Sequence, residues 1–152
     1  TRSASFRCEQ NIEEWGFKYH MNDLTATIGL HNFPHAAATV EAHRENGRFY
    51  DEALCGLDGI TLLESEPDRE SSYWIYTLRV DNRAGFVKKL KERGIDASPV
   101  HNRNDGHNCF REFKSLLPNL DEVAEDMICI PCGWWVSAED REYVLDVIKS
   151  GW

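Results

Sequence analysis

The sequence lacks a long apolar run and has few positive charges. No stretch of about 18 apolar residues occurs, so no transmembrane helix is expected. No apolar signal-peptide segment follows the first residues. Lysine and arginine number 17 against 26 acidic residues, which gives a formal net charge of -9 and a pI of about 5.1. Nucleic-acid binding would need a basic patch, so we expect no nucleic-acid partner and no anionic membrane surface as a partner.

Internal repeats, low-complexity segments and a second C-x-x-C pair are also absent, and the number of cysteines is odd. The chain has 152 residues, which suffices for one domain with a core of its own. Reduced thiols in a cytoplasmic protein are therefore expected. The first residue is Thr1 rather than Met, which favours a processed start or a truncated reading frame. The cysteines are Cys8, Cys55, Cys109, Cys129 and Cys132.

Hydrophobic periodicity predicts a mixed α and β domain. Apolar spacings of three and four predict helices at about 22–32, 34–55 and 82–93, shorter helical segments at 110–117 and 120–126, and a last helix capped by Ser137. Apolar segments and alternation predict strands at 59–64, 72–80, 95–100 and 127–130. This order predicts an α+β fold, with a small, mostly antiparallel sheet and helices packed on one face.

The segment 16–33 carries the clearest helical pattern. Its helix is expected to start at a cap formed by Asn22 or Asp23 and to bury a broad apolar side. The N-terminal end of such a helix favours an anion. The two apolar rows are Met21, Leu24 and Ile28, and Ala26, Leu30 and Phe33. The buried face predicted for the second helix consists of Ala37, Val40, Phe49, Ala53 and Leu54.

The C-I-P-C pair Cys129 and Cys132 is one candidate for chemistry. Such a pair can be redox active or bind zinc, and zinc would need two more ligands from His101, His107 and Cys109. The preferred interpretation is that both cysteines are small apolar residues at a strand end. We therefore predict no metal site.

A second candidate is the polar segment HNRNDGHNC at 101–109. Its imidazoles, amides and Arg103 could bind a polar ligand, although a surface turn rich in Asn, Asp and Gly has the same composition. Both interpretations stay open at this stage. The neighbouring pair Trp134 and Trp135 is expected to be core under a loop. No self-sufficient catalytic set is present in these residues.

The segment GFKYHMNDLTATIGL resembles the G-[YF]-[KN]-Y-x-[ML]-x-[DE]-x-x-A-A-x-G-L segment of the DegT/DnrJ/StrS-type sugar aminotransferases, which depend on pyridoxal phosphate. Thr27 replaces the second alanine of that pattern. Further matches follow in order along nearly the whole chain. They are Arg44 and Tyr50, Ser72-Tyr73-Trp74, Leu90 with Arg93-Gly94-Ile95, the segment from Asp121 to Pro131, and the segment from Ser137 to Ile148.

The resemblance implies that this chain is part of an enzyme. In the family, the lysine that holds pyridoxal phosphate lies in a large upstream domain, so residues 1–21 would be an arm from that missing domain. Residues 22–152 would be the C-terminal small domain, like that of a fold-type I aminotransferase. No catalytic residue is expected in the chain itself, and alone it should neither transaminate nor bind the cofactor.

The resemblance also implies a set of binding residues. The segment with Lys18, His20 and Asn22 would reach across a homodimer to the cofactor phosphate of the neighbouring subunit. The substrate would be a nucleotide-linked keto sugar, with glutamate as the amino donor. Its contacts would be Tyr19, His101, Arg103 and His107. The alternatives are a non-catalytic binding or regulatory module derived from this fold, and a small zinc-binding domain.

Overall fold

The computed structural model describes residues 11–17 and 21–152. Three strands form one antiparallel sheet in the order β1-β2-β3. They are β1 (Ile60–Leu62), β2 (Tyr76–Val80) and β3 (Met127–Ile130). Thr61 pairs with Arg79 across the first ladder, and Thr77 pairs with Cys129 across the second. The predicted α+β class and the small antiparallel sheet are confirmed.

The described residues also form five α-helices. They are α1 (Asp23–Asn32), α2 (Ala36–Leu54), α3 (Arg83–Glu92), α4 (Pro118–Asp126) and α5 (Ala138–Lys149). Short 3-10 turns lie at Phe33–His35, Asn104–Gly106 and Asn108–Phe113. Within residues 11–17 and 21–152, no helix combines the length and the hydropathy needed to cross a membrane.

The core lies between one face of the sheet and helices α2, α3 and α5. Alternation along β2 buries Tyr76, Leu78 and Val80 on that face. Phe86 and Leu90 of α3 are buried in the same core, as the helical spacing predicts. On the opposite side, the Arg79 guanidinium binds Glu122 and Asp126 of α4. The helices thus pack mostly on one face.

Two helix ends lie where neighbouring residues in the sequence predict them. Helix α2 ends before Gly56, whose φ of 71° is the left-handed conformation that glycine adopts without a steric penalty. The Ser137 hydroxyl accepts from the amide of Asp140, and the Asp140 carboxylate accepts from the amide of Ser137. This capping box is the predicted start of α5.

Two strand predictions are wrong in extent. The strand predicted at 72–80 begins only at Tyr76, because the φ of Tyr73 is 45° and an extended strand cannot pass through that conformation. The segment predicted as a strand at 95–100 makes a single bridge, between Ser98 and Cys129. Val100, with a φ of 41°, ends it. The predicted helix at 110–117 is the 3-10 turn Asn108–Phe113.

The predicted burial of α1 is wrong for this chain. No residue of α1 is buried, and Leu24 and Phe33 are 71% and 78% exposed. The buried side of α2 differs from the prediction in part: Leu54 is buried and Phe49 and Ala53 pack partly buried against the core, whereas Ala37 and Val40 belong to neither group. The stripe that faces the core consists of His43, Asn46, Gly47, Tyr50 and Leu54. Trp134 and Trp135, expected in the core, are both more than 60% exposed.

Candidate functional site

The start of α1 is the first part of the candidate site. Asn22 caps the helix: its side-chain oxygen accepts from the Thr25 amide and the Thr25 hydroxyl, each at 2.9 Å. Since that oxygen is occupied by the cap, the Nδ2 amide is the group that Asn22 can offer to an external acceptor. Lys18, Tyr19 and His20, the other predicted contacts of this segment, lie outside the described residues.

The loop 98–109 is the second part, and it begins with a strained turn. The amide of His101 donates to the carbonyl of Pro99, around Val100 with its φ of 41°. A positive φ is costly for a β-branched residue. The exposed His101 ring contacts the ring of Trp74, with 5.7 Å between the centroids and 52° between the planes.

Arg103 is held inside this loop by two carboxylates. Its Nε and Nη2 donate to the two oxygens of Asp105 at 2.9 and 2.6 Å, and its Nη1 donates to Asp121. These hydrogen bonds raise the pKa of Arg103 and lower the pKa of Asp105. The predicted substrate contact Arg103 is therefore a partly buried, paired cation that fixes the loop to α4.

His107 is held by the beginning of the described chain. Its Nδ1 accepts from the Ile12 amide at 3.3 Å, and next to it the Asn108 amide donates to the Asn11 side chain at 3.0 Å. The Cys109 amide donates to the Ile12 carbonyl at 3.1 Å. Residues 11–12 and 107–109 thus form one connected unit, although about 95 residues separate them. No local sequence pattern could reveal this contact.

A cluster of Tyr73, Tyr76 and Asp51, next to Trp74 in sequence, was missed by the sequence prediction. Asp51 of α2 accepts from the hydroxyls of Tyr73 and Tyr76 at 2.6 and 2.7 Å. Burial and then these hydrogen bonds raise the pKa of Tyr73 to about 12 and raise the pKa of Tyr76 further. The cluster fixes the backbone that carries Trp74.

The two cysteines of the C-I-P-C pair are buried and unpaired. Cys132 points its thiol at the carbonyl of His43, at 3.5 Å, and burial raises its pKa to about 12. A buried thiol with a raised pKa is a poor nucleophile. Among the side chains that the structure describes, no group of three His, Cys, Asp or Glu residues is placed to hold a metal ion. Both cysteines lie buried at the end of β3, where small apolar residues were expected.

Arg103 and His107 make hydrogen bonds that fix the loop 98–109, and Asn22 leaves one amide donor for a ligand. The predicted contacts fall into two sets held by different scaffolds, Asn22 on α1 and the residues His101, Arg103 and His107 on one loop. In the described part of the chain these groups are suited to binding and orienting a ligand rather than to a complete reaction.

A small antiparallel sheet with helices mostly on one face also occurs in the solved structure of a sugar aminotransferase, of which this chain covers 41%. The family model of the DegT/DnrJ/EryC1/StrS aminotransferase family matches residues 2–149. The chain belongs to that family.

Three relatives illustrate the match. The sugar aminotransferase CalS13 from Micromonospora echinospora is 40% identical, with a TM-score of 0.85, over 99% of this chain and 41% of its own. AtS13 from Actinomadura melliaura is 44% identical, with a TM-score of 0.84, over 93% of this chain and 38% of its own. EpsN of Bacillus subtilis, assigned as a pyridoxal phosphate-dependent aminotransferase, is 26% identical over 89% of this chain and 37% of its own. The chain therefore spans about two fifths of the length of these relatives.

Proposed function

We propose that this chain is the small-domain part of a pyridoxal phosphate-dependent aminotransferase that transfers an amino group to a nucleotide-linked keto sugar. The amino donor in this proposal is glutamate. The observation that supports it best is the likeness to CalS13, a sugar aminotransferase, across 99% of the chain at a TM-score of 0.85. Alone, the chain would be a binding part without catalytic activity.

The cofactor phosphate would be bound at the start of α1. A helix N-terminus attracts an anion through its free amides and its dipole, and the Nδ2 amide of Asn22 is a suitable donor beside it. Lys18 and His20 would add two further donors. Bound pyridoxal phosphate supplies the electron sink for amino-group transfer; the residues of this chain would orient it.

The substrate would be bound by Tyr19 and by the loop with His101, Arg103 and His107. Paired with Asp105 and Asp121, Arg103 carries little net positive charge toward a phosphate. Its proposed role is therefore to orient the loop and to donate a hydrogen bond to the sugar. His107 would keep its Nε2 for the ligand while Nδ1 is occupied by Ile12.

The domain arrangement is part of the proposal. Residues 1–21 would be the arm that enters residues 22–152, and the assembled enzyme would be a cytoplasmic homodimer. The hydrogen bonds between residues 11–12 and 107–109 support an arm that is fixed to the ligand-binding loop. The exposed apolar residues of α1 support a larger assembly, because a helix that is apolar on several sides is normally covered.

A chimera tests this proposal. The matching 41% of CalS13 would be replaced by this chain, and the product mixed with pyridoxal phosphate. We expect the visible absorbance of the enzyme-bound cofactor and its bleaching by glutamate. Unmodified CalS13 is the positive control, and the 152-residue chain alone should leave the spectrum of free pyridoxal phosphate unchanged.

The same measurement separates the alternative of a non-catalytic module. A chimera that folds and dimerises but binds no cofactor would favour the module. A bound-cofactor band in the isolated 152-residue chain would contradict the proposal that the cofactor is held by a separate large domain. If glutamate does not bleach the band but another amino acid does, only the proposed amino donor is wrong.

A further inference from the structure

A cleft lies at the bend where α1 meets α2, beside the loop that follows β3. Its volume is about 560 Å³, and among the described residues that line it none is Asp, Glu, Lys or Arg. In a chain in which 28% of the residues are charged, an uncharged lining of this size indicates a surface suited to apolar contact. The elbow surface consists of the residues Gly29, Phe33, Ala36, Val40 and Trp134 of this lining.

Two aromatic rings are exposed at the elbow surface. Phe33 is 78% exposed and Trp134 is 62% exposed, and the Trp134 ring contacts the ring of Trp135 edge-on at 5.9 Å between centroids. Sites for small molecules are concave and enclose most of the ligand. Large aromatic side chains that project from a surface, tryptophan above all, are typical anchors of protein–protein interfaces. The elbow surface is therefore suited to contact with another protein surface.

The loop that carries Trp134 is fixed by Asn46 of α2. The Nδ2 group of Asn46 donates to the carbonyls of Gly133 and Val136 at 3.1 and 3.2 Å, and its Oδ1 accepts from Nη1 of Arg141 at 3.1 Å. Because Asn46 is only 4% exposed, these hydrogen bonds lie in a low-dielectric interior that strengthens them. A loop that is already fixed loses little conformational entropy when a partner binds.

The position of the cleft indicates which partner covers it. One wall belongs to α1, and the segment 11–17, which the proposed function assigns to the arm from the large domain, lies just upstream of that helix. At 1.5 Å per residue the ten residues of α1 span about 15 Å, so a domain attached near its start lies within reach of its end. A tethered domain acts at an effective concentration of about 1 mM. A second copy of this chain has no such advantage and would bring a second formal charge of -9.

From this arrangement we propose that the elbow surface is the docking site of the large domain of the same subunit, with Trp134 as its anchor. The proposal rests on the proposed function, which includes a large domain, and this chain covers only 41% of the sugar aminotransferase CalS13. It adds a contact within one subunit, made by the end of α1 and the loop after β3. The contact proposed for the start of α1 is made across the dimer. The matching surface of the large domain should be uncharged and should contain a pocket for one indole.

Photo-cross-linking from position 134 tests the proposal. p-Benzoylphenylalanine in place of Trp134 keeps a large aromatic side chain, and it is introduced both into the CalS13 chimera and into the full 152-residue chain. In the irradiated chimera we expect a cross-link within one subunit, to a peptide of the large domain. A cross-link between two subunits would overturn the proposal, and so would cross-linked dimers of the 152-residue chain at micromolar concentration, since both results would assign the surface to a second copy.

Position 116 is the matched control. Leu116 is 95% exposed and is not among the residues that line the cleft, so the same probe there should give no cross-link to the large domain. Equal cross-linking from positions 116 and 134 would overturn the assignment to the elbow surface.

Gly29→Leu provides a second, independent variant. No atom lies within 4 Å of a Cβ at Gly29, so the 152-residue chain should keep its fold while the new side chain occupies the cleft. In the chimera the yield of the cross-link from position 134 should fall several-fold, and an unchanged yield would overturn the proposal. None of these measurements depends on pyridoxal phosphate. A chimera that cross-links as expected but binds no cofactor would refute the proposed function alone, and a chimera that is bleached by glutamate but forms no such cross-link would refute the docking site alone.

Discussion

The ring of Tyr73 lies against the backbone of Gly47 in α2. A Cβ built on Gly47 would be 2.5 Å from the Cγ atom of that ring, closer than nonbonded atoms can approach. The ring cannot withdraw easily, because its hydroxyl is bound to Asp51 one helical turn further on. The absence of a side chain at Gly47 therefore determines where the Tyr73–Trp74 backbone runs.

Gly47→Ala should destabilise the protein. Alanine gains roughly 1 kcal/mol of helix propensity over glycine, but overpacking typically costs about 1–3 kcal/mol, and Tyr73 would also lose its place. We expect a net loss of about 1 kcal/mol in the free energy of unfolding, measured by urea denaturation.

The control for this change is Gly29→Ala in α1. No atom lies within 4 Å of a Cβ at Gly29, so the propensity gain is not opposed and α1 should become slightly more stable. Equal effects of the two substitutions would show that the Tyr73 ring moves freely and that Gly47 does not fix it.

Alkaline pH should destabilise the tyrosine cluster. Burial, followed by hydrogen bonding to Asp51, raises the pKa of Tyr73 to about 12 and raises that of Tyr76 above it. Unfolded tyrosine ionises near pH 10, so above that pH the unfolded chain releases protons that the folded chain keeps. The contribution of these tyrosines to the free energy of unfolding is fully present below pH 10. It declines as the pH rises toward the folded pKa, by about 1.4 kcal/mol per pH unit for each such group.

Tyr76→Phe tests the origin of that decline. The substitution keeps the buried ring but removes one ionising group, so its unfolding free energy should fall less steeply between pH 10 and 11.5. Between pH 7 and 9 the two proteins should show parallel, nearly flat profiles. Identical slopes above pH 10 would assign the alkaline sensitivity to other residues.

Asn22→Ser separates helix capping from cofactor binding. Serine caps helices about as well as asparagine, but it lacks the Nδ2 donor proposed to bind the cofactor phosphate. Hydrogen bonds to charged groups contribute about 1.5–3 kcal/mol, so pyridoxal phosphate should bind the chimera roughly 10- to 100-fold more weakly. Stability of the isolated chain should stay within a few tenths of a kcal/mol.

Asn22→Ala completes that comparison. It removes both the cap and the donor, so it should also lower helix stability by about 1 kcal/mol. Unchanged cofactor affinity in both variants would remove Asn22 from the proposed phosphate site.

The apolar rows of α1 should contribute to assembly of the complete enzyme and not to the stability of the isolated chain. Leu24 and Ile28 are 71% and 54% exposed, so replacing both with glutamate should change the stability of the isolated chain by no more than about 0.5 kcal/mol per substitution. Binding of a hydrophobic dye should fall. In the chimera, the same double substitution should abolish assembly, measured by size-exclusion chromatography with light scattering.

Thr27→Glu, on an exposed position of the same helix, is the control for added negative charge. It should leave assembly of the chimera intact. If the double variant also assembles normally, α1 faces solvent in the complete enzyme, and the proposed covering of its apolar rows is wrong.

Features that depend on neighbouring residues could be predicted from the sequence. The end of α2 at Gly56 and the Ser137–Asp140 capping box are set by one or a few adjacent side chains. The inward residues Phe86 and Leu90 follow from the period of a helix that packs on a sheet. The family resemblance also could be recognised, since its motifs occur in order along the chain.

Features that depend on distant contacts could not be predicted. Alternation continues through Tyr73 in the sequence, but the ring of that residue is positioned by Gly47 and Asp51 in α2, so the strand starts late. Leu24 and its neighbours have the pattern of a buried face, yet no residue in the described ranges 11–17 and 21–152 covers them. A pattern reports what a helix requires, and it does not report which part of a protein satisfies the requirement.

The hydrogen bonds that join residues 11–12 to residues 107–109 have a mechanical consequence. They connect residues 11–12, which we propose belong to an arm entering this domain, directly to the loop that carries His107. A rotation of the entering segment would therefore shift the His107 backbone directly. In an enzyme whose two domains close over a ligand, this connection would make the position of the loop depend on the angle between the domains.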